Sequence, residues 1–207
     1  MTASPGPREV GGTETSLWLV VGLGNPGESY AETRHNVGYL VADALAARMS
    51  CTWRRHRSGR ADTVEGRLGV PGALSRLVVM KGRSYMNESG GPVAAVASYA
   101  GIGAAQVVAV HDELDLEFAT LRVKHGGGDN GHNGLRSVRR SLGTGDFTRV
   151  RVGIGRPPGR QDPADYVLSR WSASQRSDLD AMVERAADAV EDLTLRGLTT
   201  TQNEYNT

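Results

Sequence analysis

The chain has 207 residues, 39% of them hydrophobic and 23% charged, with a formal net charge of +1. That composition supports one buried core, lacks the roughly 18 consecutive apolar residues of a membrane span, and with Cys51 alone excludes an internal disulfide or a cysteine-based metal cluster, fitting a reducing cytoplasm. The charge is unevenly spread: between Thr120 and Arg160 every charged residue except Asp129 and Asp146 is Lys or Arg, whereas acids outnumber bases from Gln161 onward, which suggests a basic face for a polyanion.

Residues 1–16 carry Gly, Pro, Thr and Glu without an apolar block, so they read as a disordered extension and not as a signal peptide. Leu17 to Val21 is a continuous apolar run, the pattern of a strand buried on both faces, and it ends in the turn Gly22-Leu23-Gly24-Asn25-Pro26-Gly27. Thr33 is placed to cap a helix whose first turn holds His35 and whose stripe is Val37, Leu40, Val41, Ala44, Leu45 and Met49. Cys51 to Gly72, with Arg54, Arg55, Arg57 and Arg60, is polar and reads as a weak edge strand or a mobile loop. Leu77 to Met80 is a short buried strand, and Pro92 to Ala100 a helix with Pro in its first turn.

Val107 to Val110 is a third strand, running into His111-Asp112-Glu113-Leu114-Asp115. A strand-like Leu121 to Lys124 precedes the glycine-dense loop Gly126 to Gly134, followed by a short helix from Leu135 to Leu142 with a basic face. Thr148 to Ile154 alternates as a strand does, and Gly155 to Pro163 is loop. Ser172-x-x-Gln175 is a capping-box pattern ahead of an amphipathic helix carrying Leu179, Met182, Val183, Ala186, Val190 and Leu193. Strands alternating with helices predict an α/β domain over residues 17–200, a mixed twisted sheet surrounded by helices, with 201–207 as a flexible tail.

Three chemistries compete for the strand-end residues. The glycine turn matches G-x-G-x-x-G, but Glu28 to Glu32 intervene before helical periodicity begins, and no second strand ending in an acid follows; the context of a dinucleotide site is missing. His35, His111, Asp112, Asp115 and His132 are conceivable metal ligands, yet no His-x-x-x-His or cysteine pair fixes two on one face. No Gly-x-Ser-x-Gly elbow supplies a serine nucleophile. What remains is general-base chemistry. A neutral imidazole near a helix N-terminus, here His35, activates water when a carboxylate such as Asp112 fixes its tautomer. Asn25, Asn87 and Asn133 sit in turns, where an amide serves either a substrate or the turn itself.

Six motifs then resemble the bacterial peptidyl-tRNA hydrolases: Gly22 to Gly27 with Tyr30, Arg34-His35-Asn36-Val37-Gly38, Ser84-Tyr85-Met86-Asn87, His111 to Asp115, Gly131 to Leu135, and Arg149 to Gly155, in the family's order. The resemblance implies hydrolysis of the ester between a peptide and the 3′-terminal ribose of tRNA, recycling the tRNA, with no metal and no cofactor. It implies His35 as the base, Asp112 as its partner, and Asn25 as the residue telling blocked from free aminoacyl groups. It implies that Asn87 and Asn133 bind peptide backbone and terminal nucleotides, that Tyr30 and Tyr85 line the site, and that Lys124 and Arg151 clamp the 5′ phosphate. It further implies a cytoplasmic monomer that engages peptidyl-tRNA and no membrane. Gly82, Glu88 and the pair Asp129-Asn130 depart from the family's pattern, leaving a weakly active or silent tRNA-binding paralogue as the alternative.

Overall fold

The computed structural model describes residues 16–206. Its frame is a seven-stranded sheet built from β1 (Leu17–Gly22), β2 (Arg54–Arg55), β3 (Ala61–Val70), β4 (Ala73–Gly82), β5 (Val107–Glu113), β6 (Leu121–His125) and β7 (Thr148–Gly153). The order is β2-β3-β4-β1-β5-β7-β6. The four central strands run parallel, and antiparallel pairs close both sides, so the sheet is mixed as expected. Among the described residues the helices are α1 (Val37–Arg48), α2 (Gly90–Ala100), α3 (Asn133–Leu142), α4 (Pro163–Val167), α5 (Ala173–Arg196) and α6 (Leu198–Tyr205).

Strand alternation sorts the core into two layers. Val20, Val79 and Val108, adjacent across the sheet, pack with Val41 and Leu45 of α1 and with Val190 of α5. Leu19, Val21, Met80 and Ala109 face the other way, onto Val93 and Val96 of α2 and Leu135 and Val138 of α3. The parallel order places the carboxyl ends of β1, β4 and β5 side by side, the edge of an open α/β sheet where ligands bind.

Two glycines let α1 reach that edge. A Cβ on Gly38 would collide with the Val110 and Leu23 carbonyls, and one on Gly22 with the Gly38 carbonyl. The start of α1 therefore lies directly on the ends of β1 and β5, and His35, three residues before Gly38, is carried to the last residues of β5. His35 itself sits in a 3-10 turn, Arg34–Asn36, ahead of α1. Thr33 does not cap it; its hydroxyl donates to the Tyr30 carbonyl at 2.8 Å.

Two expectations need correction. The segment from Cys51 to Gly72 is no loop and no weak strand over most of its length, because β3 pairs with β4 along ten residues, although β2 covers only Asp62 and Thr63 of its outer side and the rest of β3 forms the sheet's edge. Its inward set is Val64, Gly66 and Leu68, and the glycine in the middle, packed against Met49 and Cys51, hides the period of two. Nor do residues 201–205 belong to a flexible tail. They are helical, with Thr201 and Tyr205 buried. The segment is polar in sequence because its polar groups bond outward to β6: Asn206 Oδ1 accepts from the Val123 N–H at 2.6 Å, and Asn206 Nδ2 and Gln202 Nε2 donate to the Val123 carbonyl. The proposed N-terminal extension lies outside the described residues, apart from Ser16.

Tyr205 packs into the α5 layer and donates to Asp192 at 2.9 Å. Tyr205→Ala is expected to destabilise the protein by about 3 kcal/mol, the cost typical of truncating a buried aromatic. Urea unfolding measures this, and a change under about 0.5 kcal/mol, the range of ordinary surface substitutions, would show that α6 is dispensable.

Candidate active site

Asp112 is the centre of the site. It lies in β5, 3% exposed, and its carboxylate meets two imidazoles. His35 Nδ1 lies 2.9 and 3.0 Å from its two oxygens, and His132 Nε2 lies 3.0 Å from Oδ1. Burial pushes the Asp112 carboxyl up, but His35 and then His132 overcome that and hold it well below the usual carboxylate range. Asp112 is therefore an anion at neutral pH, and its two oxygens face Nδ1 of His35, which fixes the ring with Nε2 turned away from the carboxylate.

His132 is fixed from its other side. It is the N-cap of α3, and its Nδ1 accepts from the backbone N–H groups of Gly134 and Leu135 at 3.1 and 3.3 Å. An accepting Nδ1 places the His132 proton on Nε2, which then donates to Asp112. His35, Asp112 and His132 also have the spacing of a metal triad, with ligand atoms within 4.8 Å of one another. Those atoms already face one another in hydrogen bonds, and a metal ion would have to break both and take the proton from His132.

Asn25 follows the end of β1 and is 6% exposed. Asn36 clamps its backbone, accepting from the Asn25 N–H at 2.8 Å and donating to its carbonyl at 2.9 Å. The Met86 N–H donates to Asn25 Oδ1 at 2.7 Å, which fixes the amide's orientation and leaves its NH₂ hydrogens for the cavity.

That cavity holds about 1000 Å³ and is lined by Asn25, His35, Asp112, His132, Asn87, Asn133 and Tyr85. Beyond them it runs between Leu114, Asp115 and Arg156 on one side and Pro163, Ala164, Val167 and Leu168 of the α4 segment on the other. Asn87 and Asn133 are both exposed on its wall. Tyr30 is not a lining residue; its ring meets that of Tyr85 edge to face, with centroids 6.2 Å apart, and braces it.

Lys124 and Arg151 belong to a separate, smaller cavity of about 170 Å³, shared with His111, Glu113, Asn130 and Arg149. Arg151 is already paired with Glu113 Oε2 at 2.9 Å, while Lys124 is exposed. Arg149 is buried and donates to the carbonyls of Gly126, Gly127 and Gly145, holding the glycine loop against β7. Sequence reasoning treated His132 as a loop residue or metal ligand and passed over Asn36 and the Met86 N–H. No pattern announces a histidine N-cap, and a backbone donor has no sequence signature.

The chain matches the family model described as peptidyl-tRNA hydrolase over residues 19–207. The chain belongs to this family. It is 54% identical over 190 residues to a peptidyl-tRNA hydrolase of Streptomyces coelicolor, covering 91% of this chain and 94% of that one. It is 55% identical over 189 residues to one of Rhodococcus erythropolis, covering 91% and 97%. Among solved structures, the peptidyl-tRNA hydrolase of Acinetobacter baumannii superposes with a TM-score of 0.81 at 32% identity, covering 95% of this chain and 98% of that one.

The departures from the peptidyl-tRNA hydrolase pattern leave His35, Asp112 and Asn25 in place. Glu88 is exposed. The Gly82 carbonyl accepts from Tyr39 Oη at 2.5 Å. Asn130 stands at φ 48° and donates to Glu113 Oε1 at 3.0 Å and Asp115 Oδ2 at 2.9 Å, while Asp129 pairs with Arg139 at 3.0 Å. The altered pair thus ties the glycine loop down.

His111 neighbours the site, with its ring centroid 4.9 Å from that of His132. Burial, then His132, push its imidazole down to about 3. Below the ordinary value of 6.5 the unfolded chain takes up a proton that the folded ring refuses, so this stability is complete above pH 6.5 and drains away toward pH 3. At pH 5 the loss is about 2 kcal/mol, and His111→Gln is expected to flatten the fall in unfolding free energy between about pH 7 and pH 5. An unchanged slope in denaturant titrations would assign the acid sensitivity elsewhere.

Proposed function

We propose that this chain hydrolyses the ester of peptidyl-tRNA with a water activated by His35. The observation that carries the reading is the His35–Asp112 pair, with Asp112 held anionic by a second histidine and Nε2 of His35 left bare at the cavity. An ester is an activated acyl group, so a positioned base and a donor for the developing oxyanion are sufficient chemistry.

In this reading water sits on His35 Nε2, gives up its proton as it attacks the ester carbonyl, and leaves an imidazolium that Asp112 stabilises. The NH₂ group of Asn25, locked by Met86, donates to the carbonyl oxygen as it gains charge. A free α-ammonium beside that carbonyl would compete poorly for a site of donors, which fits selection of N-blocked substrates. Asn87 and Asn133 hold peptide backbone and terminal nucleotides on the cavity wall, with Tyr85, braced by Tyr30, as an aromatic platform. Collapse of the intermediate, with His35 returning its proton to the leaving oxygen, releases the ribose hydroxyl of the tRNA and the peptide's carboxylic acid, which gives its proton to solvent.

Lys124 and Arg151 bind the 5′ phosphate in the adjoining basic cavity, giving affinity that does not depend on tRNA sequence. Phosphate must share Arg151 with Glu113, so Lys124 brings the uncommitted charge. The enzyme acts as a cytoplasmic monomer, consistent with its lone thiol. No helix of the described residues is long and apolar enough to cross a membrane.

Purified protein is expected to cleave N-acetyl-aminoacyl-tRNA and to spare free aminoacyl-tRNA. His35→Ala should lower kcat by about 10²–10⁴, the span of general-base catalysis, while tRNA binding persists. Binding without cleavage by the wild type would favour a silent tRNA-binding paralogue. Lys124→Ala with Arg151→Ala should raise KM for tRNA substrates, lower the salt slope by roughly 1–2, and spare short nucleotide esters. Equal losses on both substrate types would remove the clamp.

A further inference from the structure

Arg34, the residue before His35, is 6% exposed and has no carboxylate in ion-pair range among the described residues. Its charge is met in another way. Nη1 donates to the Ser169 hydroxyl at 2.6 Å, to the Arg170 carbonyl at 2.7 Å and to the Ser169 carbonyl at 3.2 Å. Nη2 donates to Gln175 Oε1 at 2.7 Å. The guanidinium lies 4.3 Å from the ring centroid of Tyr166 and 5.5 Å from that of Trp171. A buried cation is costly unless its donors find partners; here both terminal nitrogens do, Nε is left without one, and the guanidinium lies beside two aromatic rings.

All of these partners come from one segment. Tyr166 belongs to α4, Ser169 to Trp171 follow it, and Gln175 completes the capping box of α5. The backbone adds to the tie: Arg34 N–H donates to the Ser169 carbonyl at 3.2 Å, and Thr33 forms an antiparallel bridge with Arg170. The same segment supplies Pro163, Ala164, Val167 and Leu168 to the lining of the cavity that holds His35 and Asn25. This wall is mainly apolar, and Leu168 is 44% exposed on it.

We propose that Arg34 is a positioning residue that holds this apolar wall at a fixed reach from His35, and so sets how well the enzyme grips the peptide upstream of the ester. The proposal rests on the hydrolase reading above. One end of the tether is the turn bearing the base, and the other is the surface on which side chains of the preceding peptide residues lie. A loosened wall weakens a substrate long enough to touch it and leaves one that ends at an N-acetyl group nearly unaffected. Loss of such binding, equal in ground and transition states, appears in KM and not in kcat.

The test compares Arg34→Lys with wild type on two substrates, N-acetyl-aminoacyl-tRNA and a tRNA carrying an apolar peptide of four residues. Lysine keeps the charge but cannot reach Ser169, Arg170 and Gln175 together. We expect KM for the tetrapeptidyl substrate to rise about tenfold, KM for the acetyl substrate to rise less than about threefold, and kcat on both to stay within about twofold. Amide exchange over residues 163–170 should quicken in the same variant. Equal losses on both substrates, or exchange and KM unchanged, overturn the proposal. If Arg34→Lys does not fold, Gln175→Ala and Ser172→Ala decide. Both break the capping box, but only Gln175→Ala removes a bond to Arg34, so only it should raise the tetrapeptidyl KM. Matching behaviour of the two counts against the tether. Failure of the wild type to cleave either substrate would strike at the hydrolase reading itself.

Discussion

A buried anion holds this molecule's chemistry together. Asp112 is enclosed near the end of a central strand, where an unpaired carboxylate would be costly. Two imidazoles compensate it, each from a different element: His35 from the turn before α1, and His132 from the start of α3. The carboxylate therefore joins the helical layers on the two faces of the sheet at one point. Moving either helix would strand the charge, so the geometry of His35 is maintained by the same interaction that makes the fold tolerate the acid.

The backbone tunes the pair. The backbone N–H groups at the start of α3 donate to the ring nitrogen of His132 and fix its orientation. His132 is thereby aimed at Asp112, which stays an anion, and Asn36 and Met86 remove the freedom of Asn25 in a comparable way. Each group presented to the cavity has had its alternative orientation taken up by a main-chain partner. Preorganisation of this kind lets a site without a nucleophilic side chain stabilise charge at the moment of reaction.

Much of this was legible in the residues. The strands β1 and β5 and the α5 capping box follow from periodicity and local pattern, and the meeting of His35 with Asp112 from motifs placed at strand ends. The errors share a cause. In β3 a glycine occupies the middle of the inward set, so a well-paired strand lost its alternation. In α6 the polar residues are spent on the backbone of β6, so a docked helix read as a tail. The histidine N-cap and the Met86 donor depend on contacts between segments distant in sequence, for which composition offers no sign.

The C-terminal side chains have a wider consequence. With Asn206 bonded to both the N–H and the carbonyl of Val123, one amide stands in for a neighbouring strand on the outer side of β6. At the opposite margin the sheet ends in the two residues Arg54 and Arg55, both charged and exposed. The β6 margin is thereby blunted against another chain, while at the other side β2 covers only Asp62 and Thr63 of β3. A protease that clipped the last few residues would remove that stand-in strand, and the newly bare margin would lie beside Lys124. The same cut would thus open a surface for self-association next to the basic cavity, turning a small loss at the terminus into a fault in solubility.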